Sequence, residues 1–281
     1  MIIGVDVGAS ITKGVLLDKM KIVDSYMIPT TETKFSALKV LKYFVNRVGG
    51  DYKKLIDVVT ISGGKTQNIK DDLLDLPIKK VDEIRATGLG GLLLTGKNEG
   101  LIVNAGTGTA MVAAYDKGRR VNHICGTGVG GGTILGLSKR LLGITDFEIL
   151  ENMAAKGNPN KVDLTVADIV GRPIGIVPSK ATASNFGKLT DEAKEEDIAA
   201  GIFNLVSQVI GVLAVMAAKA CNLERNIILV GGLVRSRIVS QSINNTVELF
   251  GGNTLTPQNC EYSTALGAAG YIYLFEKGSL E

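Results

Sequence analysis

Asp6-Val7-Gly8-Ala9-Ser10-Ile11-Thr12-Lys13 places a carboxylate, a glycine turn with small side chains and a lysine within one short stretch. A carboxylate at a strand end can orient the hydration shell of Mg²⁺, which keeps most of its waters when bound. Lys13 can neutralise phosphate charge. A plain hairpin with a surface acid and base is the competing reading of this stretch taken alone.

A second stretch, Asn104-Ala105-Gly106-Thr107-Gly108-Thr109, alternates glycine with threonine. Backbone and hydroxyl donors can converge there on phosphate oxygens, although an ordinary glycine-rich turn has the same composition. A third run, Gly126 to Gly132, includes Gly128, Gly130 and Gly131 and precedes an apolar helix. A helix start preceded by glycines is a good anion site. The run formally contains GxGxxG, but its preceding strand is short and polar. No acid ends a second strand ~20 residues on, which argues against a dinucleotide fold. Gly231-Gly232 follows the buried strand IILV and could let an adenine ring lie against backbone; a strand-ending turn explains it too. A classical P-loop is absent: Gly64-Lys65-Thr66 ends correctly, but Val59 stands where the leading glycine belongs.

Asp82 and Glu83 open a helix and could offer a general base to a substrate hydroxyl. On spacing alone, acids that favour the helix dipole are the better reading.

The elements that would position these residues follow from hydrophobic periodicity. Strands are expected over 1–18 as a hairpin and over Lys21 to Met27, then a helix over Phe35 to Val48 and a strand over Leu55 to Ser62. The helix at Asp82 to Leu94 has glycines near its middle. A second set follows: hairpin strands from Gly100, a short strand at Arg120 to Cys125, and two helices between Thr133 and Ala155 broken near Gly143. An irregular stretch is expected over Asn158 to Phe186, then a long helix over Asp197 to Ala220 and a strand over Asn226 to Val230. The last helix, Thr264 to Phe275, is rich in small residues that allow close packing.

The two hairpins are similar to each other. IIGVDVGASITKGVLLD and LIVNAGTGTAMVAAYD align Asp6 with Asn104, Gly8 with Gly106 and Asp18 with Asp116. Chance similarity of two hairpins is the bland account. The physical one is a duplicated α/β protein whose lobes, 1–98 and 99–281, face each other across a cleft.

Composition sets limits. Hydrophobic residues make up 45% and charged ones 21% of 281 residues, as in a globular chain. A net charge of +3 is too small to argue for nucleic acid or a membrane surface. Cys125, Cys221 and Cys260 are scattered, without zinc-type spacing, which fits a reducing cytoplasm. His123 is the only histidine, so a histidine-rich metal site is ruled out. No signal peptide is expected, and the run Val209 to Ala218 is shorter than the ~20 residues of a membrane span.

At these motifs the chain resembles the type II (eukaryotic-like) pantothenate kinases over nearly its whole length. The family opens with Asp-x-Gly-Gly-Thr-x-x-Lys, here Asp6 to Lys13, and carries Asn-x-Gly-Thr-Gly-Thr-Ser, here Asn104 to Ala110. The glycine run from Gly126, the stretch Thr145 to Gly157, Val162-Asp163-Leu164, Asp168-Ile169 and Ala183-Ser184-Asn185-Phe186-Gly187 continue the likeness. The resemblance implies the two-lobed actin-like ATPase (ribonuclease H-like) fold, ATP with Mg²⁺ at Asp6, a homodimer, and phosphoryl transfer to pantothenate. Through Val81-Asp82-Glu83-Ile84 it implies Glu83 as the base, with Lys13 stabilising the transferring group. It also puts Thr107, Ala110, His123 and Ala183 beside the acceptor.

The chain departs from the family at Ala110, usually Ser, and at His123, where the family has an Arg. An Arg clamps a carboxylate bidentately and an imidazole does so poorly. Arg119 or Arg120 could substitute through a register change; otherwise a related acceptor such as pantetheine is expected. An actin-like ATPase activator of a dehydratase is a rival class, and so is a non-catalytic sensor of a coenzyme A precursor.

Overall fold

A computed structural model of the protein describes residues 1–64, 66, 69 and 72–277. Lys65, part of the P-loop comparison, lies outside the described residues, as does the end of the second lobe beyond 277.

The first half contains β1 (Ile2–Val7), β2 (Ile11–Asp18), β3 (Lys21–Pro29), α1 (Thr33–Val48), the short α2 (Tyr52–Leu55), β4 (Val58–Ser62), β5 (Asp72–Leu73), β6 (Leu76–Lys80) and α3 (Glu83–Thr95). The second half continues with β7 (Gly100–Ala105), β8 (Thr109–Tyr115), β9 (Arg120–Thr127), α4 (Gly131–Leu141), α5 (Phe147–Ala154), β10 (Leu164–Thr165), α6 (Val166–Val170), β11 (Thr182–Ser184), α7 (Glu195–Ala220), β12 (Ile227–Val230), α8 (Arg237–Leu249), β13 (Thr254–Leu255) and α9 (Ser263–Tyr271).

The duplication is visible in the sheets. One has the order β3-β2-β1-β4-β6-β5, the other β9-β8-β7-β12-β13. In each, three strands form an antiparallel meander and a later strand runs parallel to the first. The central strands β1, β4 and β12 are buried along their whole length, which is why they read as unbroken apolar runs rather than alternating ones. The hairpins differ by one residue. Val7 pairs with Thr12 around residues 8–11, whereas Ala105 pairs with Thr109 around residues 106–108.

Helices separate and cover the sheets. In α1, Ala37, Val40, Leu41 and Phe44 recur at helical spacing and pack on Ile3, Val5 and Val7. The opposite face of that sheet meets α9, which packs in turn on α3, and α3 packs on β7, β8 and β9. The two helices cross closely because glycines stand at the contact: a methyl on Gly90 would overlap the Ser263 carbonyl, and one on Gly267 the Ala86 carbonyl. The second sheet's outer face is covered by α7, with α5 and α8 packed on it. By length and composition alone α7 could cross a membrane, but 61% of its most apolar window is buried inside the protein.

The stretch expected to be irregular contains β10, α6 and β11. Carboxylates rather than apolar periodicity organise it. Asp163 is fully buried and accepts from the Phe186 amide at 2.7 Å and from Asn204 Nδ2 of α7 at 2.7 Å. Asp168 accepts from Lys188 at 2.6 Å and from the Thr165 amide at 2.7 Å. The strand expected from Leu55 begins only at Val58, since Tyr52–Leu55 form a turn of helix.

Candidate active site

Asp6 ends β1 beside Lys13 of β2 and Ser62 of β4 in register. Side chains directly opposite one another across strands share a face, so carboxylate, ammonium and hydroxyl emerge together on the side covered by α9. Asp6 is only 8% exposed. Burial pushes its carboxyl up to about 6; Lys13 opposes the rise and Glu83 adds to it. The Ser62 hydroxyl is fully buried and has no hydrogen-bond partner among the described residues. A buried acid beside an unsatisfied hydroxyl fits a hydrated Mg²⁺, whose waters would occupy both.

Glu83 is the first residue of α3. Asp82 caps that helix by accepting from the Arg85 amide at 2.9 Å, which leaves the Glu83 carboxylate free of the cap. Its side chain lies next to Gly64, at the end of β4. Burial, and then the neighbouring Asp82, raise its pKa. Two acids with raised pKa values that lie close enough to act on one another mark a candidate site of proton transfer; neither is among the residues that line the cleft between the turns.

The second turn faces the first. Ser10 Oγ and Thr107 Oγ lie 2.8 Å apart, joining residues 97 positions apart in sequence. The cleft at this junction has a volume of about 400 Å³ and is lined by Ala9, Ser10 and Lys13 from one side and by Gly106, Thr107, Gly131, Gly132 and Gly232 from the other.

The third glycine run supports this turn. The amides of Gly131 and Gly132 donate to the carbonyls of Gly106 and Thr107 at 2.8 and 2.9 Å. Thr109 Oγ donates to the Val129 carbonyl at 2.9 Å. A side chain on Gly130 would press into the Thr107 carbonyl and on Gly108 into the Thr127 carbonyl. These glycines therefore allow backbone to lie on backbone. The amides of Gly131 and Gly132 are already used, so that helix start contributes a wall to the cleft. Gly128 caps the same arrangement by accepting from Thr133.

Asn104, at the position equivalent to Asp6, bonds Thr264 of α9 at 3.5 Å. Gly231 adopts φ +100 and lies against the Ala105 carbonyl and Asn104, a conformation that side chains rarely take. Gly8 likewise lies against the Ile11 carbonyl. Ala110 pairs with Gly126, and His123 with Val112 past a bulge. The His123 ring lies near Gly126, on the strand face that α3 covers. Ala183 is exposed on β11 and is not among the residues that line the cleft. Arg120 stacks on Tyr115 at 4.3 Å, at the far end of β9 from the glycine turn.

Sequence reasoning missed Ser62, whose signal was its place at the end of the strand paired with β1. It also missed Leu135, Phe147, Glu148, Leu233, Arg235 and Glu261, which line the rest of the cleft. Ordinary apolar and charged residues from four separate stretches carry no local motif.

The Fumble family model matches residues 100–274. A type II pantothenate kinase of Bacillus anthracis is 32% identical over 261 residues, covering 90% of each chain. The chain belongs to the Fumble, or type II pantothenate kinase, family. Among solved structures, an activator of 2-hydroxyisocaproyl-CoA dehydratase from Clostridium difficile with bound ADPNP superposes with a TM-score of 0.71 at 21% identity, covering 99% of this chain and 96% of that one. A ROK family glucokinase from Streptomyces griseus in complex with glucose and AMPPNP gives a TM-score of 0.59 at 15% identity, covering 96% and 98%. The Fumble-family chain thus has the actin-like ATPase fold. Its duplicated sheets and facing turns are the form that fold takes here.

Proposed function

We propose that the protein transfers the γ-phosphate of ATP to the primary hydroxyl of pantothenate, the first step of coenzyme A synthesis. The observation that carries this reading is the convergence of Asp6, Lys13 and Glu83 beside two glycine turns that touch through Ser10 and Thr107. Family membership supplies the acceptor class; the glycine turns supply donors for a polyphosphate.

Phosphoryl transfer asks the protein mainly for positioning and charge stabilisation. The turns at 8–10 and 106–108 hold the phosphates, and Lys13 stabilises charge on the transferring group. Asp6 and Ser62 would hold Mg²⁺ through its waters. When bound, that ion neutralises phosphate charge. Glu83 accepts the hydroxyl proton, its raised pKa suiting a base that must release it again. Thr107, Ala110 and His123 make the acceptor side; a role for Ala183 has no support from its place, exposed on β11 and outside the cleft lining. The halves 1–98 and 99–281 act as the two walls of the cleft, with α9 of the second packed under the first sheet.

The protein works as a homodimer in the cytoplasm. Support for the dimer is a run of exposed apolar residues, Ile169, Val170, Ile174 and Ile176, that a second copy would cover. The activator reading has less support. Burial raises the thiol pKa of Cys125 and pushes that of Cys260 up to about 11, the opposite of thiols poised to bind iron.

The test is turnover of pantothenate and pantetheine with ATP. Wild type phosphorylates pantothenate, and Glu83→Gln loses roughly 10²- to 10⁴-fold in kcat with nucleotide affinity retained. Equal turnover by the variant would remove Glu83 as the base, and turnover of pantetheine alone would reassign the acceptor.

A further inference from the structure

We propose that Glu148 reads the purine base, selecting a 6-amino purine over a 6-oxo purine; this rests on the cleft being an ATP site. Beyond the phosphate turns, the cleft wall is made by Leu135, Phe147 and Leu233, with Glu148, Arg235 and Glu261 among them. An apolar wall containing one aromatic ring suits a flat heterocycle, and polar groups set among apolar walls fix its orientation.

The three charged groups are not equivalent. Arg235 Nε and Glu261 Oε1 lie 3.4 Å apart, and only 14% of the Glu261 side chain is exposed, so this carboxylate is already neutralised. Glu148 has no ion pair or hydrogen bond among the described residues. It sits in the first turn of α5, directly after Phe147, while Asp146 makes the helix cap by accepting from the Ile149 amide at 3.0 Å. The cap therefore does not need Glu148, and its carboxylate is available to the cleft.

An ionised carboxylate only accepts hydrogen bonds. Placed opposite the 6-substituent of a bound purine, it gains from a 6-amino group and is repelled by a 6-oxo group, whereas placed opposite N1 it would favour the 6-oxo purine, which carries a hydrogen there. A hydrogen bond to a charged group contributes about 1.5–3 kcal/mol, and Glu148 is exposed enough for water to weaken it. The expected preference is therefore near the low end, about tenfold. A role limited to the α5 dipole would change stability without changing the choice of nucleotide.

The experiment compares ATP, ITP and 2′-deoxy-ATP as phosphoryl donors, and binding of the matching diphosphates, for wild type, Glu148→Gln and Glu148→Ala. ITP differs from ATP in its 6-oxo group and in the hydrogen that N1 then carries, so a loss of preference for ATP reports a carboxylate placed opposite the 6-substituent. Wild type favours ATP over ITP by about tenfold in kcat/KM. Both variants reduce that ratio to within about twofold, the Gln variant through its amide donor, and leave the ratio of ATP to 2′-deoxy-ATP unchanged. An unaltered ATP to ITP ratio in both variants overturns the proposal. A change confined to the 2′-deoxy-ATP ratio also overturns it and assigns Glu148 to the ribose. Failure of wild type to bind any of these nucleotides instead overturns the reading of the cleft itself.

Discussion

Asp6 carries a cost that only its ligand removes. Its ionisation is opposed by burial, and its pKa moves from 3.8 to about 6. One pKa unit corresponds to about 1.4 kcal/mol. The folded state binds the proton more tightly than the unfolded chain does. The stability that Asp6 contributes is thus complete below pH 3.8 and is lost as pH rises through about 6. Metal-free wild type should lose about 2–3 kcal/mol relative to Asp6→Asn between about pH 3 and about pH 8, measured by denaturant unfolding. A difference that stays flat with pH would show that Asp6 ionises without hindrance. At this scale Asp6 and the glycine turns stood out because such residues are unusual at strand ends, whereas Glu83, at a helix start, stood out only through the family resemblance. Ser62 and Glu148 were not. Their meaning comes from a neighbouring strand and from a distant helix, and neither residue is unusual locally.

The crossing of α3 and α9 fixes where Glu83 stands. Both helices have glycines at the contact, so their axes approach more closely than side chains would permit. Gly267→Ala places a methyl against the Ala86 carbonyl. Overpacking of this kind costs about 1–3 kcal/mol, and lower turnover is expected with it as α3 moves. Gly136→Ala in α4 meets nothing within 4 Å and should be neutral or stabilising by up to about 1 kcal/mol. Denaturation midpoints of the two variants check this: equal effects would mean that the α3–α9 contact is looser than described. The small-residue composition of α9 announced close packing, though not which helix it met; the glycines of α3 read only as tolerated near its middle. The whole of α8 went unread, although Val239, Ile243 and Val247 recur every four residues and Ser236 caps it. Its Asn, Ser and Thr residues have weak helix propensity and hide that spacing. The 158–190 segment escaped for a related reason, since the buried carboxylate of Asp163 and the exposed one of Asp168 fasten it and leave no periodic pattern.

At the scale of the molecule, the duplication was the most informative feature of the sequence. Similar hairpins recur because each lobe uses the same sheet order, and the two glycine turns meet because α3 and α9 lie between the sheets. The one-residue difference between the hairpins could not be read from the alignment, because register depends on which residues actually pair. The turns are joined by the hydroxyls of Ser10 and Thr107. A triphosphate entering between them must replace that contact with its own oxygens on both sides.

Amide hydrogen exchange with and without a non-hydrolysable ATP analogue and Mg²⁺ tests this most directly. The amides of 8–11 and 106–108 should gain protection together, and adenosine alone should protect neither turn. Protection of one turn without the other, or of neither, would contradict a phosphate chain gripped between the two lobes.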